Sequence, residues 1–339
     1  MKMKMKMNKE QVTVGLISFA HGHAYSYAKA ISGRSDVVIA GFWDDHAERS
    51  RGVEEQLGMR GFDSLQALLA EDIDAVIVCS ENAKHASFTR AAAAAGKHVL
   101  CEKPLGLSIS EMEGMIRVCE DNGVQLMTAF PCRYIPAVEE AKKAIDRGDI
   151  GEILAIRGTN RGTMPGGWFV DPALSGGGAV LDHTVHVMDL MNWFVQSEVK
   201  DVYAEAGTLF HPELEVEDAG MVHVRFANGV VASLDPSWSR PRSFPTWGDV
   251  TMEIIGTDGI ISIDAFNQKS EVYADPATKA QWFYWGDDMD AGLLDAFITA
   301  IRSGAAVPIT GTDGLKSAAV ALAALESARK GTPIRLEGN

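Results

Sequence analysis

The chain has 339 residues, 46% hydrophobic and 23% charged, a length too great for one ordinary domain and suited to two, each burying its own core. Its 31 basic and 46 acidic residues give a formal net charge of −15, which argues against nucleic-acid partners and against adhesion to an anionic membrane, though not against a single dinucleotide held by local N–H groups. Cys79, Cys101, Cys119 and Cys132 form no CxxC pair and no metal-ligand spacing. They read as buried free thiols of a reducing, cytoplasmic compartment. The alternating opening Met1–Met7 has no apolar run for a signal peptide or a membrane span and reads as a disordered leader.

In chain order, Val12–Ser18 is an apolar run that enters the loop Phe19–His23 and a helical stretch through Ile31. Val37–Trp43 is a second run, ending in Asp44-Asp45. Asp63–Leu69 starts as a short capped helix, Ala75–Cys79 is a buried strand, and His85–Ala95 is an Ala-rich helix stopped by Gly96. His98–Cys101 is a further strand, Ser108-Ile-Ser-Glu111 opens a helix as a capping box, and Val124–Ala129 is one more apolar run. Continuous apolar strands alternating with helices imply a parallel sheet covered on both faces. Residues 8–131 are therefore expected to form a Rossmann-type, doubly wound α/β domain.

The texture then changes. Glu152–Asn160, Val202–Leu209, Ala219–Phe226, Val230–Asp235, Val250–Ile255 and Ile260–Asp264 read as half-buried strands, with hairpin turns at Asn228-Gly229 and Asp258-Gly259. Helices at Ala291–Ile301 and Leu315–Arg329 close the chain. Residues 132–339 are expected to form an α+β substrate-binding and oligomerisation domain on an open, mainly antiparallel sheet, one face of which needs a cover.

Three constellations carry chemistry. In the turn Val14-Gly-Leu-Ile-Ser-Phe-Ala-His-Gly-His23, small residues after the first strand would let backbone approach a dinucleotide pyrophosphate at the helix start. Phe19, Ala20, His21, Gly22 and His23 are the candidate cofactor contacts, and Asp44 would accept from the adenosine ribose, favouring NAD over NADP. His21 and His23 either donate to the pyrophosphate or fill the turn; with no further ligand beside them in sequence, a metal role is set aside. In His98-Val-Leu-Cys-Glu-Lys-Pro104, Lys103 stands at the carboxyl end of a buried strand, where it either serves a reacting oxygen or is a surface lysine. In Gly176-Gly-Gly-Ala-Val-Leu-Asp-His-Thr-Val-His-Val-Met-Asp189, the glycines can bring backbone close to a ligand, and Asp182 and His186 share one face of an apolar helix. That pair is either a satisfied core bond or a base with its orienting carboxylate. A zinc reading on His183, His186 and Asp182 is weaker, because His183 projects about 100° away from Asp182 around the helix.

Glu102-Lys103-Pro104, Gly176-Gly-Gly178 and Asp182-xxx-His186-xx-Asp189 together resemble the glucose–fructose oxidoreductase/inositol dehydrogenase (Gfo/Idh/MocA) family. The resemblance covers nearly the whole chain, including Ser80-Glu-Asn82 with His85 and Gly148-Asp-Ile-Gly-Glu-Ile153. It implies NAD or NADP as cofactor, with Ser80, Asn82, His85 and Glu102 joining the turn in holding it. It implies that Lys103, Asp182 and His186 line the substrate hydroxyl, and that Arg133 and His183 touch substrate. It also implies a homodimer or homotetramer paired through the sheet. Ser18, Ala20 and His23 stand where the family usually has glycine, and so does Thr184. The expected activity is hydride transfer between nicotinamide and a hydroxyl-bearing carbon of a sugar, inositol or related polyol. An NAD-dependent glycosidase working by transient oxidation, a non-catalytic dinucleotide sensor and a metal-dependent hydrolase are the alternatives. Trp168, Phe169, Trp238 and Trp247 offer flat faces for a sugar ring or belong to the core, Trp168 being the substrate candidate.

Overall fold

The computed structural model describes residues 11–273, 279–284 and 288–336; the leader Met1–Met7 lies outside them. The chain divides into two compact units, one running to Pro131 and taking in Asp290–Leu315, the other comprising Cys132–Met289 and Lys316–Asn339.

In the first unit, β1 (Val12–Ile17), β2 (Val37–Trp43), β3 (Ala75–Val78), β4 (His98–Cys101) and β5 (Leu126–Thr128) form a parallel sheet in the order β2-β1-β3-β4-β5. Every residue of β3 is buried, as a strand covered on both faces requires. The helices between the strands are α1 (His23–Ser32), α2 (Ala47–Leu57), α3 (Leu65–Leu69), α4 (His85–Ala94) and α5 (Ile109–Asp121). Their ends follow local chemistry. Ser64 Oγ accepts the Ala67 N–H that opens α3, and Ser108 Oγ accepts the Glu111 N–H that opens α5. Gly96, with φ +72°, takes the left-handed position after α4. The expected Rossmann-type sheet is the one observed.

The second unit carries α6 (Pro136–Asp146), α7 (Pro172–Ser175), α8 (Ala179–Val195) and a seven-stranded sheet. Its strands are β6 (Ile153–Thr159), β7 (Val199–Gly207), β8 (Ala219–Phe226), β9 (Val231–Asp235), β10 (Thr251–Gly256), β11 (Ile260–Asp264) and, beyond a small β12–β13 hairpin (Lys269–Val272, Gln281–Tyr284), β14 (Ile334–Arg335). The order is β11-β10-β6-β9-β8-β7-β14, and all neighbours are antiparallel except β6 and β9. The sheet is therefore mixed, because the long crossover from β6 through α8 returns the chain parallel to its start. Apolar side chains of α8, Val187, Met188 and Met191, pack with Ile156, Val222, Leu234 and Met252 in one core. The opposite face is laced by the cross-strand ion pairs Arg157–Glu253 and Arg225–Asp201, with Met221, Val231 and Ile260 exposed among them.

The segment 290–315, expected in the second domain, belongs instead to the first unit. It carries most of α9 (Met289–Ser303) and the first turn of α10 (Gly311–Lys330). The Gln125 side chain donates to Ala305 O and accepts from Val307 N, Met127 bridges Thr310, and Arg302 joins Arg34 on Asp36. These partners lie as far as 266 residues apart in sequence, beyond any local pattern. No helix among the described residues is long and apolar enough to cross a membrane.

Candidate active site

The strand order of the first unit reverses between β1 and β3, and open α/β sheets bind ligands at the carboxyl ends of the strands beside that point. The turn leaving β1 there is held by its own side chains. Phe19 N–H donates to Asp44 Oδ2 (2.7 Å) and Ala20 N–H to Ser18 Oγ (3.2 Å), with Ser18 itself at φ +69°. Gly22 caps α1 with no side-chain bond, the first turn of α1 carries no acid, and a Cβ on Gly22 would meet nothing within 4 Å. An open, acid-free helix start fits a dinucleotide pyrophosphate. Phe19, Ala20 and Gly22 lie in the turn between β1 and α1.

Asp44 does not present a free carboxylate at the tip of β2. Its side chain is wholly buried; Oδ1 accepts from His46 N–H (2.8 Å), and Oδ2 from Phe19 N–H, Ser18 Oγ and Arg49 Nε (2.7 Å). The expected ribose acceptor instead stitches the phosphate turn to β2. The partly exposed groups at this end are the cations Arg49 and Lys84 and the carboxylate of Asp45. Arg49 also donates to Ser18 Oγ, Asp45 and Glu81, while Lys84 bonds Asp45 and Glu81. Sequence reasoning missed Arg49, although its place in the first turn of the helix after Asp44 was a usable signal.

His21 and His23 turn inward. His23 Nδ1 lies 3.0 Å from Glu102 Oε1, Tyr27 Oη donates to the same oxygen (2.7 Å), and Lys103 N–H donates to Oε2 (3.2 Å). His21 Nδ1 accepts the His23 backbone N–H (3.2 Å). The fold thus supplies a third group, Glu102, where the sequence showed none, and the three side chains offer atoms within 4.8 Å of one another. They are joined by hydrogen bonds, His23 to Glu102 through its side chain and to His21 through its backbone N–H. Burial alone would lower the His23 pKa, but the charge and hydrogen bond of Glu102 outweigh it and hold it above the usual value. Burial likewise opposes ionisation of Glu102, yet His23, His21 and Tyr27 keep its carboxyl well below the usual range. Tyr27, buried and facing that carboxylate, is pushed far up.

Lys103 follows Glu102 at the end of β4, only 4% exposed, before a cis bond to Pro104. Ser80 and Asn82 are buried in the loop after β3. His85, expected against the cofactor, is completely buried: Nδ1 lies 2.8 Å from Pro104 O and Nε2 3.2 Å from Ser80 O. It ties the loop after β3 to the loop carrying Lys103, and burial lowers its pKa.

In the second unit, α8 presents its polar groups from a helix buried along most of its length. Asp182 Oδ2 lies 3.4 Å from His183 Nε2, so the ion pair the structure shows for Asp182 is with its neighbour, whereas helical spacing pointed to His186. His183 Nδ1 faces Pro236 O at 3.0 Å. The ring therefore faces a carbonyl with one nitrogen and a carboxylate with the other, and a protonated imidazole can donate to both. His186 is buried one turn further along α8. The triple glycine makes its close approach to protein rather than to a ligand. A Cβ on Gly178 would sit 1.9 Å from Glu217 O, and Glu217 Oε1 accepts from Gly178 N–H and Val180 N–H, capping α8. Arg133, expected on substrate, forks onto Asp189 through Nε and Nη2 (2.7 and 2.6 Å), with Trp193 across its guanidinium. Among the aromatics, Trp238 is core, Trp247 is exposed beside His183, and Trp168 stacks on Phe169 with ring centres 3.9 Å apart, both half-buried.

Comparison with known proteins agrees with this architecture. A family model described as an oxidoreductase family with an NAD-binding Rossmann fold matches residues 12–130, and one for the GFO/IDH/MocA C-terminal domain matches residues 138–262. The chain is 30% identical over 277 residues to the uncharacterized oxidoreductase YrbE of Bacillus subtilis, covering 78% of this chain and 79% of that protein. It is 29% identical over 313 residues to a myo-inositol 2-dehydrogenase of Thermotoga maritima, covering 89% and 92%. A levoglucosan dehydrogenase solved in complex with NADH and L-sorbose is 26% identical and superposes with a TM-score of 0.82 over 97% of this chain and all of that one. The chain belongs to the Gfo/Idh/MocA family of NAD-binding oxidoreductases.

Proposed function

We propose that this oxidoreductase moves a hydride between NAD or NADP and the hydroxyl-bearing carbon of a sugar, inositol or related polyol. The observation that carries the reading is a lysine, Lys103, buried to 4% exposure at the carboxyl end of β4. That is the end of the strand at which open α/β sheets bind their ligands. The nicotinamide supplies the ring that takes or gives the hydride. Lys103 bonds the substrate oxygen, and His186 takes the hydroxyl proton with Asp182 one turn before it on α8. His183 bonds a neighbouring hydroxyl, and Trp168 offers a flat face to the sugar ring. Relatives named for myo-inositol and levoglucosan support this substrate class. NAD is the expected cofactor, while Arg49 and Lys84 at the β2 end would also pair with a 2′-phosphate. The open face of the second unit's sheet, with Met221, Val231 and Ile260 exposed, suits pairing with a second copy of the chain.

A panel of inositols, aldoses, acyclic polyols and glycosides with NAD and NADP, read as nicotinamide absorbance, tests the reading. Net cofactor reduction with a free sugar or inositol supports it. Glycoside cleavage without net reduction would make the protein a transient-oxidation glycosidase. Tight NADH binding with no turnover of any member would make it a sensor.

A further inference from the structure

The Glu102 network lies in the first unit at the carboxyl ends of β1 and β4, and the proton chemistry just described does not use it. Glu102 is a buried carboxylate, His23 is hydrogen-bonded to it, and the His23 side chain is 28% exposed, open to exchange with solvent. We propose that Glu102 is the counter-charge for the oxidised nicotinamide ring and that His23, by gaining or losing one proton, switches that charge on or off. The proposal rests on the dinucleotide reading above and concerns which redox form of the cofactor the protein prefers.

The argument is one of charge. Oxidised nicotinamide is a cation and reduced nicotinamide is neutral, while the rest of the dinucleotide is the same in both. With His23 protonated, the His23–Glu102 pair is neutral; with His23 deprotonated, it carries one negative charge. Facing His23 are Glu102 and Lys103 after β4, Tyr27 on α1, His21 in the turn and Asp290 at the start of α9. Asp290 is itself anchored by Ser26 Oγ at 2.5 Å. Lys103 opposes protonation of His23, whereas the two carboxylates favour it. On balance the carboxylates hold the titration of His23 above its usual value.

The sign follows from linkage. The oxidised cofactor binds better to the anionic pair, so its binding expels the His23 proton, and the reduced form does so less. Unit charges about 6–12 Å apart at an effective dielectric constant of about 40 couple strongly enough for a three- to tenfold change in affinity. Hydride transfer onto bound oxidised cofactor removes the ring's positive charge, so His23 takes up a proton from solvent as the cofactor is reduced.

The test is the ratio of the NADH and NAD+ dissociation constants, measured by equilibrium binding without substrate from about pH 5.5 to about 8.5. The ratio cancels contributions from the pyrophosphate, riboses and adenine. It should rise about three- to tenfold with pH in the natural chain. In His23→Gln it should stay flat at the high-pH value, and in Glu102→Gln it should favour NADH throughout. His21→Asn should keep the rise. A flat ratio in the natural chain, or a rise that survives His23→Gln, overturns the proposal while leaving the dinucleotide reading intact. Binding of neither form overturns both. Should Glu102→Gln fail to fold, His23→Gln alone decides.

Discussion

The first unit assembles its histidine–carboxylate cluster from distant parts of the chain, whereas the second draws most of its own from consecutive positions on one helix. His23 and Glu102 are 79 residues apart, and Ser26 and Asp290 are 264 apart. Asp182, His183, His186 and Asp189 all lie on α8, with Arg133 and Pro236 the partners brought from elsewhere. Helical spacing exposes the second kind of cluster to a reader of the sequence and conceals the first. Asp182 also meets its sequence neighbour His183, a contact that spacing did not suggest. Residues adjacent in sequence diverge around a helix axis, but long side chains near the helix start can bend back and meet.

The two regions make different predictions. The largest effect concerns chemistry: Lys103→Ala and His186→Ala should each lower steady-state turnover by about 10²–10⁴-fold on an identified substrate. If one falls and the other does not, the proton role belongs to one unit alone. Next is the Arg133–Asp189 pair, almost fully buried. Arg133→Met should cost about 3–5 kcal/mol in denaturant unfolding, because it strands the Asp189 charge, and adding Asp189→Leu should return much of that. Gly178→Ala should cost about 1–3 kcal/mol, since the new methyl group meets Glu217 backbone. Retained stability there would return the triple glycine to the ligand-facing role first expected of it.

The smallest effect is the pH dependence of stability in the first unit. His23 has a raised folded pKa, so its contribution is complete below the unfolded value near 6.5 and is lost as pH rises through the folded value. Glu102 has a depressed folded pKa, so its contribution is present above 4.5 and is lost as pH falls. His23→Gln should flatten the alkaline slope and also weaken the acid slope, because His23 leads the groups that hold the Glu102 pKa down, as measured by unfolding at a series of pH values.

Much of the fold was legible. The strands of the first unit, the caps at Ser64 and Ser108 and the helix of Asp182 and His186 are all written in local periodicity and end signals. Lys103 was legible because a strand end followed by proline marks a position without needing a partner. The enclosure of Asp44 was not foreseen because Arg49, which helps to enclose it, looks like any charged residue on a surface helix. The return of 290–315 to the first unit and the parallel β6–β9 pair depend on contacts between distant segments, which leave no local trace. The glycines before α8 were seen, but their reason was not, because Glu217 arrives 39 residues later.

The most direct test of the central claim follows the hydride itself. A sugar or inositol that turns over is deuterated at its carbinol carbon and incubated with the protein and oxidised cofactor. The account predicts that deuterium appears at C4 of the recovered reduced nicotinamide. Deuterium left on the product, or lost to water without reaching the cofactor, would contradict it.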